Sequence, residues 1–303
     1  MLRASGSFIT RRRFLAGVAC GTVAAAVVRP GLLAGAAEDQ PKRWTMRLST
    51  SSIHYKSLPI EKACERIAGL GFEAIDIWSA HAGCPHLDDV AKRLGPDGLK
   101  ELLARHKLRL YAFSVYAGGY RRYAELLGKA GGGVAIQGGP GPCKPAELSA
   151  RMKAYLEGLK PLAELAEKHD SYLAIENHGG SLLDSVDSFK AFVETNRYPR
   201  VGIALAPYHL QARKESVPDA IRVAGKQLLF FYAWQHAGGL EQLPGIGKTD
   251  FTPWLAALAE VNFRWPVNPF MHGEPEPEKM SEALAKSRDY LRTCYGKAVG
   301  KGE

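Results

Sequence analysis

Short β-rich runs alternate eight times with longer amphipathic runs through most of this 303-residue chain. Strands that alternate with helices form parallel sheets, because each helix returns the chain to the same end of the sheet. Eight such units within about 260 residues predict an α/β protein that folds as a single-domain (β/α)8 TIM barrel. The predicted strands cover residues 46–51, 74–78, 108–113, 134–137, 172–176, 201–205, 228–234 and 267–271.

The runs between these strands carry apolar residues three or four positions apart, which is the spacing of one buried helix face. In the first run Ile60, Ala63, Ile67 and Leu70 share such a face, and Gly71 follows as a helix stop. A doubly wound open sheet is the structural alternative, and no G-x-G-x-x-G motif follows the first strand to support its dinucleotide-binding form. The predicted helices cover residues 59–70, 98–106, 123–129, 145–169, 185–195, 218–223, 253–261 and 276–295.

The first 37 residues have the pattern of a twin-arginine signal peptide. Residues 10–15 read Thr-Arg-Arg-Arg-Phe-Leu, an apolar stretch covers residues 16–28, and Ala34-Gly35-Ala36 fits a cleavage site. The apolar stretch is too short for a convincing membrane span, so the mature chain is expected to lack one. We therefore expect a protein exported by the twin-arginine route, to the periplasm or beyond, with the barrel in residues 44–298.

Charge and cysteine content exclude some classes of function. Five of the nine excess positive charges lie in the first 36 residues, and no block of Lys and Arg follows them. Nucleic-acid binding is therefore not expected. The four cysteines after the leader form no CxxC pair, which argues for free thiols or an incidental disulfide over a zinc–thiolate site. Whether the chain forms a homo-oligomer is left open.

Polar and aromatic side chains gather where the predicted strands end. Active sites of TIM barrels lie at this carboxyl-terminal face, so these residues are the candidates for function. Glu176 and His178 share one face of the fifth strand, and His272 and Glu274 share one face of the eighth, so all four can point to one centre. The candidates are His54, Asp76, Trp78, Glu176, His178, Tyr208, His209, Trp234, Gln235, His236, His272 and Glu274.

Four segments carry a family resemblance. They are Leu-Ser-Thr-Ser-Ser at 48–52, Gly-Phe-Glu-Ala-Ile-Asp-Ile-Trp at 71–78, Leu-Ala-Ile-Glu-Asn-His at 173–178 and Val-Gly-Ile-Ala-Leu-Ala-Pro-Tyr-His at 201–209. The chain resembles the xylose-isomerase-like TIM-barrel superfamily of sugar isomerases, epimerases and type IV endonucleases. The resemblance covers nearly the whole chain after the leader.

The resemblance implies a metal-assisted enzyme that removes a proton next to the carbonyl of a sugar or keto-sugar. It implies a divalent ion (Mn, Zn, Co or Mg) held by Glu176, His209 and His272, and catalysis by Glu176, His272 and Glu274. Carbohydrate binding would fall to His54, Asp76, Trp78, His178, Tyr208, Trp234, Gln235 and His236.

The chain departs from the family pattern at three ligand positions. The family's sixth-strand Asp falls on Ala206, which cannot bind metal, and its seventh-strand His-x-x-Asp falls on residues 232–235, which begin with Tyr232. The family's eighth-strand Glu falls on His272, so only the fifth-strand Glu is in place. Three alternatives therefore stay open: a lyase or hydrolase of oxidised glycosides, a different ligand set, or a carbohydrate-binding barrel that has lost its metal. An endonuclease is disfavoured because it needs a trinuclear metal site. Export argues against a phosphorylated substrate.

Overall fold

The computed structural model describes residues 44–300, which form one barrel of eight parallel strands with helices between them. This confirms the predicted TIM barrel. The strands pair in chain order, and a bridge between Leu48 and Val267 joins the last strand to the first. The predicted signal peptide, residues 1–37, lies outside the described residues. The strands are β1 Ser49–Ser51, β2 Ala74–Trp78, β3 Arg109–Ser114, β4 Val134–Gly138, β5 Tyr172–Glu176, β6 Val201–Leu205, β7 Leu228–Ala233 and β8 Val267–Pro269.

The helices surround the barrel, and the long helix predicted for residues 145–169 is in fact two. Pro161 lies in the first turn of the second, and because its nitrogen has no hydrogen to donate, the helical ladder breaks before it. Within residues 44–300 no helix is both long and apolar enough to cross a membrane. The helices are α1 Ile60–Gly69, α2 His86–Asp89, α3 Gly95–Arg105, α4 Gly119–Lys129, α5 Leu148–Gly158, α6 Lys160–Lys168, α7 Val186–Thr195, α8 Pro207–Ala212, α9 Val217–Ala224, α10 Thr252–Glu260 and α11 Pro277–Val299.

The barrel interior is filled by small and large side chains that lie next to one another. Ala174 and Ala204, from β5 and β6, belong to the same inner cluster as Tyr111 and Phe230. At Gly202 a methyl group would lie 2.3 Å from the carbonyl oxygen of residue 227, so no larger residue fits without a backbone shift. The interior is therefore filled by side chains, and space for a ligand remains at the ends of the barrel.

Strand alternation in β5 places Glu176 inside the barrel. Leu173 and Ile175 pack in the outer cluster against the helices, whereas Ala174 belongs to the inner cluster. Successive side chains of a strand point to opposite faces, so Glu176 shares the inward direction of Ala174. Glu176 is the last residue of its strand, which puts its carboxyl group at the carboxyl-terminal end of the barrel.

Candidate active site

A cavity of about 320 Å³ opens at the carboxyl-terminal ends of the strands. This volume is at the lower end of the roughly 300–1,000 Å³ that is typical of small-molecule sites. Glu176 is the carboxylate among the lining residues, and no Lys or Arg of the described chain lines the cavity. Its other side-chain walls come from aromatic rings, histidines and a serine: Trp78, His81, Tyr116, His178, Ser181, His209 and His272.

The carboxyl group of Glu176 is poised to exchange a proton near neutral pH. Its side chain is buried, and burial raises its pKa from 4.5 to about 7. A hydrogen bond from Tyr116 opposes this rise, and the nearby Asp76 adds to it. A carboxyl group that is neither fully protonated nor fully ionised at pH 7 suits general acid–base chemistry.

A chain of hydroxyl groups connects Glu176 with Asp76 through the barrel interior. The hydroxyl of Tyr116 bonds to Glu176 and lies 3.1 Å from the hydroxyl of Tyr232. Tyr232 contacts Ser114 at 3.4 Å, and Ser114 donates to both carboxylate oxygens of Asp76 at 3.0 Å. The two carboxyl groups are therefore parts of one hydrogen-bonded network.

Asp76 lies beneath the cavity as a structural acceptor. It is fully buried and accepts hydrogen bonds from Ser51 at 2.8 Å and from the indole nitrogen of Trp78 at 2.6 Å, besides those from Ser114. Burial raises its pKa from 3.8 to about 7, although these hydrogen bonds lower it. Asp76 was predicted to bind substrate, but it is not among the residues that line the cavity, so it acts on the site through Trp78 and Ser114.

The histidines at the cavity pack against one another and against aromatic rings. The rings of His178 and His209 have centroids 4.0 Å apart, and His209 also meets Trp234 edge-on at 5.2 Å. Burial, with smaller effects of His178, His272 and His236, lowers the pKa of His209 to about 3. His209 is therefore a neutral imidazole at the cavity wall at neutral pH.

Aromatic rings form the remaining wall. Trp78 stacks on Phe270 at 5.2 Å and packs at 5.1 Å against Tyr116. Tyr208 stacks on Trp234 at 4.3 Å, next to this wall. Flat apolar surfaces beside polar groups are suited to bind the mixed surface of a small polar ligand.

His272, after β8, is held by its backbone. Gln242 accepts a hydrogen bond from the His272 nitrogen at 3.2 Å and donates to its carbonyl oxygen at 2.8 Å, while Trp234 donates to the same Gln242 at 2.8 Å. The His272 ring is exposed at the cavity mouth. Gln242 thus sets the position of a candidate residue without touching the cavity itself.

Two other predicted binding residues, His54 and Gln235, hold loops in place. His54 is buried, accepts a hydrogen bond from the Met271 nitrogen at 3.3 Å and lies 3.1 Å from the Thr50 hydroxyl. Burial lowers its pKa to about 3, so it stays neutral. Gln235 donates to the Leu243 carbonyl and accepts from the Thr249 nitrogen, each at 2.8 Å. Both side chains are used within the fold and are absent from the cavity lining.

The remaining predicted residues lie at the rim. His236 is exposed and its ring meets Tyr208 edge-on at 4.8 Å. Glu274, predicted to be catalytic, forms an ion pair with Lys56, and Lys56 also donates to the Ala82 carbonyl at 2.6 Å. Lys56 therefore connects the loops after β1, β2 and β8. Glu274 is the residue of the loop after β8 that binds Lys56.

The sequence prediction missed Tyr116, although a signal for it exists. Tyr116 lies two residues after Ser114, the last residue of β3, and both side chains reach the same hydroxyl network. The predicted third strand ends at residue 113, whereas β3 ends at Ser114, so Tyr116 lies beyond the predicted strand end. The contact with Tyr232 joins residues 116 positions apart, which no local pattern reveals.

Comparison with known proteins identifies the family. A family model described as xylose isomerase-like TIM barrel matches residues 64–294. The chain belongs to the xylose isomerase-like TIM barrel family. No curated protein sequence matches it.

Solved structures share the fold of this family member at low identity. A D-psicose 3-epimerase studied with D-fructose is 19% identical, with a TM-score of 0.63 over 83% of this chain and 100% of the other. A 3-keto-D-glucoside 4-epimerase from E. coli is 16% identical, with a TM-score of 0.63 over 82% and 100%. A protein with a bound zinc atom is 18% identical, with a TM-score of 0.65 over 84% and 99%.

The three predicted metal ligands, Glu176, His209 and His272, do not form a metal-binding group in the part of the chain that the structure describes. Glu176, His209 and His272 line one cavity, yet among residues 44–300 no group of three or more His, Cys, Asp or Glu side chains is arranged to hold an ion. The methyl group of Ala206 stands where the resemblance places a carboxylate ligand, and Tyr232 bonds to other hydroxyls. The ligand set Glu176, His209 and His272 stays a prediction, and the chemistry of the cavity is argued below from its protein groups.

Proposed function

We propose that this chain is an exported enzyme of sugar isomerase or epimerase type, which moves a proton at a carbon next to a carbonyl group. The observation that carries the proposal is the buried carboxyl group of Glu176, which faces a small cavity. Burial raises the pKa of this carboxyl group to about 7, and it accepts a hydrogen bond from Tyr116. The family and its epimerase neighbours support the same reaction class. Export rests on the twin-arginine pattern in residues 1–37.

In this reaction the ionised carboxylate of Glu176 takes a proton from the carbon beside the carbonyl. The electron pair of the broken C–H bond forms a C=C bond, and the carbonyl π electrons move to oxygen, which gives an enolate. To complete an isomerisation, the hydroxyl on the carbon that lost its proton gives its own hydrogen to the enolate oxygen. A carbonyl then forms at that carbon while the C=C electron pair takes the proton back from Glu176 at the former carbonyl carbon. Epimerisation needs a proton on the opposite face of the same carbon. Burial lowers the pKa of His272 at the cavity mouth and leaves its ring neutral, so His272 is the candidate to pass this proton from solvent to the carbon.

The oxygen that becomes negative needs a hydrogen-bond donor. Tyr116 can supply one at the moment when Glu176 takes up the proton, because the protonated carboxyl group no longer attracts the single hydroxyl hydrogen of Tyr116. Its hydroxyl faces the cavity beside Glu176, and the Tyr232 hydroxyl behind it, at 3.1 Å, holds it in place. Fixed donors that face a developing negative charge commonly lower the barrier by several kcal/mol, or about 10²–10³ in rate. A hydrogen-bond donor from the protein would stabilise the enolate oxygen in a chain where Ala206 and Tyr232 occupy two of the family's metal-ligand positions.

The lining also favours a neutral substrate. Phosphate groups are usually bound by Arg or Lys, and neither lines this cavity in the described chain. The aromatic face of Trp78 and the imidazoles of His178 and His209 suit a sugar ring with hydroxyl groups. The substrate class proposed is an unphosphorylated ketose or keto-glycoside.

Hydrogen exchange in deuterated water tests the function directly. The purified protein is incubated with D-fructose, D-tagatose and a 3-keto-glucoside, and the protons beside each carbonyl are followed by NMR. Catalysed loss of one of these signals is the expected result. Sugars that bind without any exchange would overturn the enzyme proposal and leave a carbohydrate-binding barrel. Loss of a water molecule or an aglycone after exchange would indicate the lyase alternative, which begins with the same proton abstraction.

Tyr116→Phe is expected to slow this exchange by about 10²-fold, because the variant loses a donor to the enolate oxygen. Sugar affinity should change far less, since the ring and its packing are retained. Tyr155→Phe is the matched control, because the Tyr155 hydroxyl is buried without a hydrogen-bond partner in the described chain and lies on α5. Equal exchange rates for Tyr116→Phe and the unaltered protein would remove Tyr116 from the mechanism.

Removal of divalent metals is expected to leave the exchange rate within about twofold of its starting value. The reason is that the proposed steps use the carboxylate of Glu176 and the hydroxyl of Tyr116. Dialysis against EDTA, with metal analysis before and after, measures this. Stoichiometric metal together with loss of exchange on dialysis, restored by one added ion, would contradict the proposed route.

A further inference from the structure

A second cavity, of about 280 Å³, lies at the opposite end of the barrel. Its walls come from the amino-terminal ends of the strands: Arg47 precedes β1, Glu73 precedes β2, Arg109 begins β3, Tyr172 begins β5, and Arg264 and Trp265 precede β8. In TIM barrels this face is usually concerned with stability and not with catalysis. A cavity here is therefore independent of the proposed reaction.

Three guanidinium groups surround this cavity without a matching set of acids. Arg47, Arg109 and Arg264 come from three separate segments, and Glu73 is the carboxylate among the lining residues. None of the three arginines forms an ion pair with any residue of the described range 44–300. Arg47 donates to the backbone carbonyl of Arg264, which brings two of the three segments together. Like charges held near one another favour an anion between them, and guanidinium groups match carboxylate and phosphate oxygens.

An aromatic wall with a free donor completes the cavity. Trp265 stacks on Tyr111 at 5.8 Å and meets Tyr172 edge-on at 5.3 Å. Its indole nitrogen is buried and has no hydrogen-bond partner among residues 44–300. Buried donors are rarely left unpaired in folded proteins, so this N–H is an unused donor beside the cavity.

We propose that this cavity binds a small organic oxyanion, a carboxylate or phosphate group carried on a flat ring. The arginines would bind the oxygens, and Trp265 would pack against the ring. The volume is well above the roughly 30 Å³ that one water molecule fills, so an inorganic ion alone would leave most of it empty. The short strands β1 and β8, of three residues each, close the barrel at this end, and a ligand held by Arg47 and Arg264 would reinforce that closure.

Binding of three probes to the full chain tests this site: inorganic phosphate, benzoate and phenyl phosphate. Isothermal titration calorimetry and thermal unfolding are measured for each, because a ligand that binds the folded state raises its melting temperature. Saturable binding of phenyl phosphate or benzoate, tighter than that of inorganic phosphate, is expected. Equal or tighter binding of inorganic phosphate would overturn the flat-ring ligand, and no saturable binding of any probe would overturn the site.

Variants locate the binding. The double variant Arg109→Ala and Arg264→Ala is expected to weaken the organic probe by at least about tenfold, and Trp265→Phe by a smaller factor. Arg121→Ala on α4 is the matched control, an exposed arginine with no place in the cavity lining. Binding that is unchanged in the double variant would overturn the proposal. Because no sugar is present, this outcome does not depend on the proposed enzyme function.

Discussion

Glu176→Gln is expected to lower the rate of exchange of sugar protons with deuterated water by about 10²–10⁴-fold, which is the usual contribution of a general base. The amide has nearly the same shape and can still accept the hydrogen bond from Tyr116, but it cannot take a proton. Sugar affinity and the melting temperature are therefore expected to change little. Exchange by NMR and sugar binding by calorimetry separate the two effects.

Glu167→Gln on α6 provides the matched control for this substitution. Glu167 is exposed and pairs with Arg200 on the outside of the barrel, so the same chemical change there should leave exchange within about twofold. Full activity in Glu176→Gln would move the base elsewhere in the cavity, with His272 as the next group to test. Loss of activity in both variants would indicate damage to the fold in place of loss of a base.

The exchange rate should also rise with pH through about pH 7. The base must be ionised, and burial raises the pKa of Glu176 from 4.5 to about 7, so the active carboxylate form is lost as the pH falls through that value. A plateau is expected above about pH 8, where the carboxylate is nearly fully formed. Rates that fall as pH rises through 7 would contradict a carboxylate base.

The fold could be predicted from the sequence because its signals are local. Each strand is a short apolar run, and each helix is an amphipathic run with its own stop, so errors such as the single helix predicted over residues 145–169 did not alter the topology. The inward direction of Glu176 followed from the same alternation, since Ala174 and Glu176 are two residues apart on β5.

The site was harder to predict because a polar residue at a strand end has two uses. His54 and Gln235 were selected by the same rule as Glu176, yet their side chains bond to nearby loops. The partner of His54 is the backbone nitrogen of Met271, 217 positions away, and no local pattern indicates that contact. The sequence marks Tyr232 as a position where a family ligand is missing, and it does not indicate that the Tyr232 hydroxyl connects Tyr116 to Ser114.

Asp76→Ala is expected to lower the free energy of unfolding by about 3–5 kcal/mol at pH 5, because buried donors lose their shared acceptor. The indole nitrogen of Trp78 and the hydroxyls of Ser51 and Ser114 all bond to Asp76. Chemical denaturation followed by tryptophan fluorescence measures the loss. A change below about 1 kcal/mol would mean that these donors find other partners.

Asp76→Asn separates the role of shape from the role of charge. In the folded protein burial raises the pKa of Asp76 from 3.8 to about 7, so between these values the folded state holds a proton that the unfolded chain has lost. The free energy of unfolding of the unaltered protein should therefore fall as pH rises from 4 to 7, by up to about 1.4 kcal/mol per pH unit from this group. The asparagine variant keeps an acceptor and lacks this dependence. Its pH profile of proton exchange should also shift to lower pH, because the charge of Asp76 no longer raises the pKa of Glu176. Parallel stability curves for the two proteins between pH 4 and pH 7 would show that Asp76 is ionised throughout, and the hydroxyl network would then connect Glu176 to a permanent negative charge.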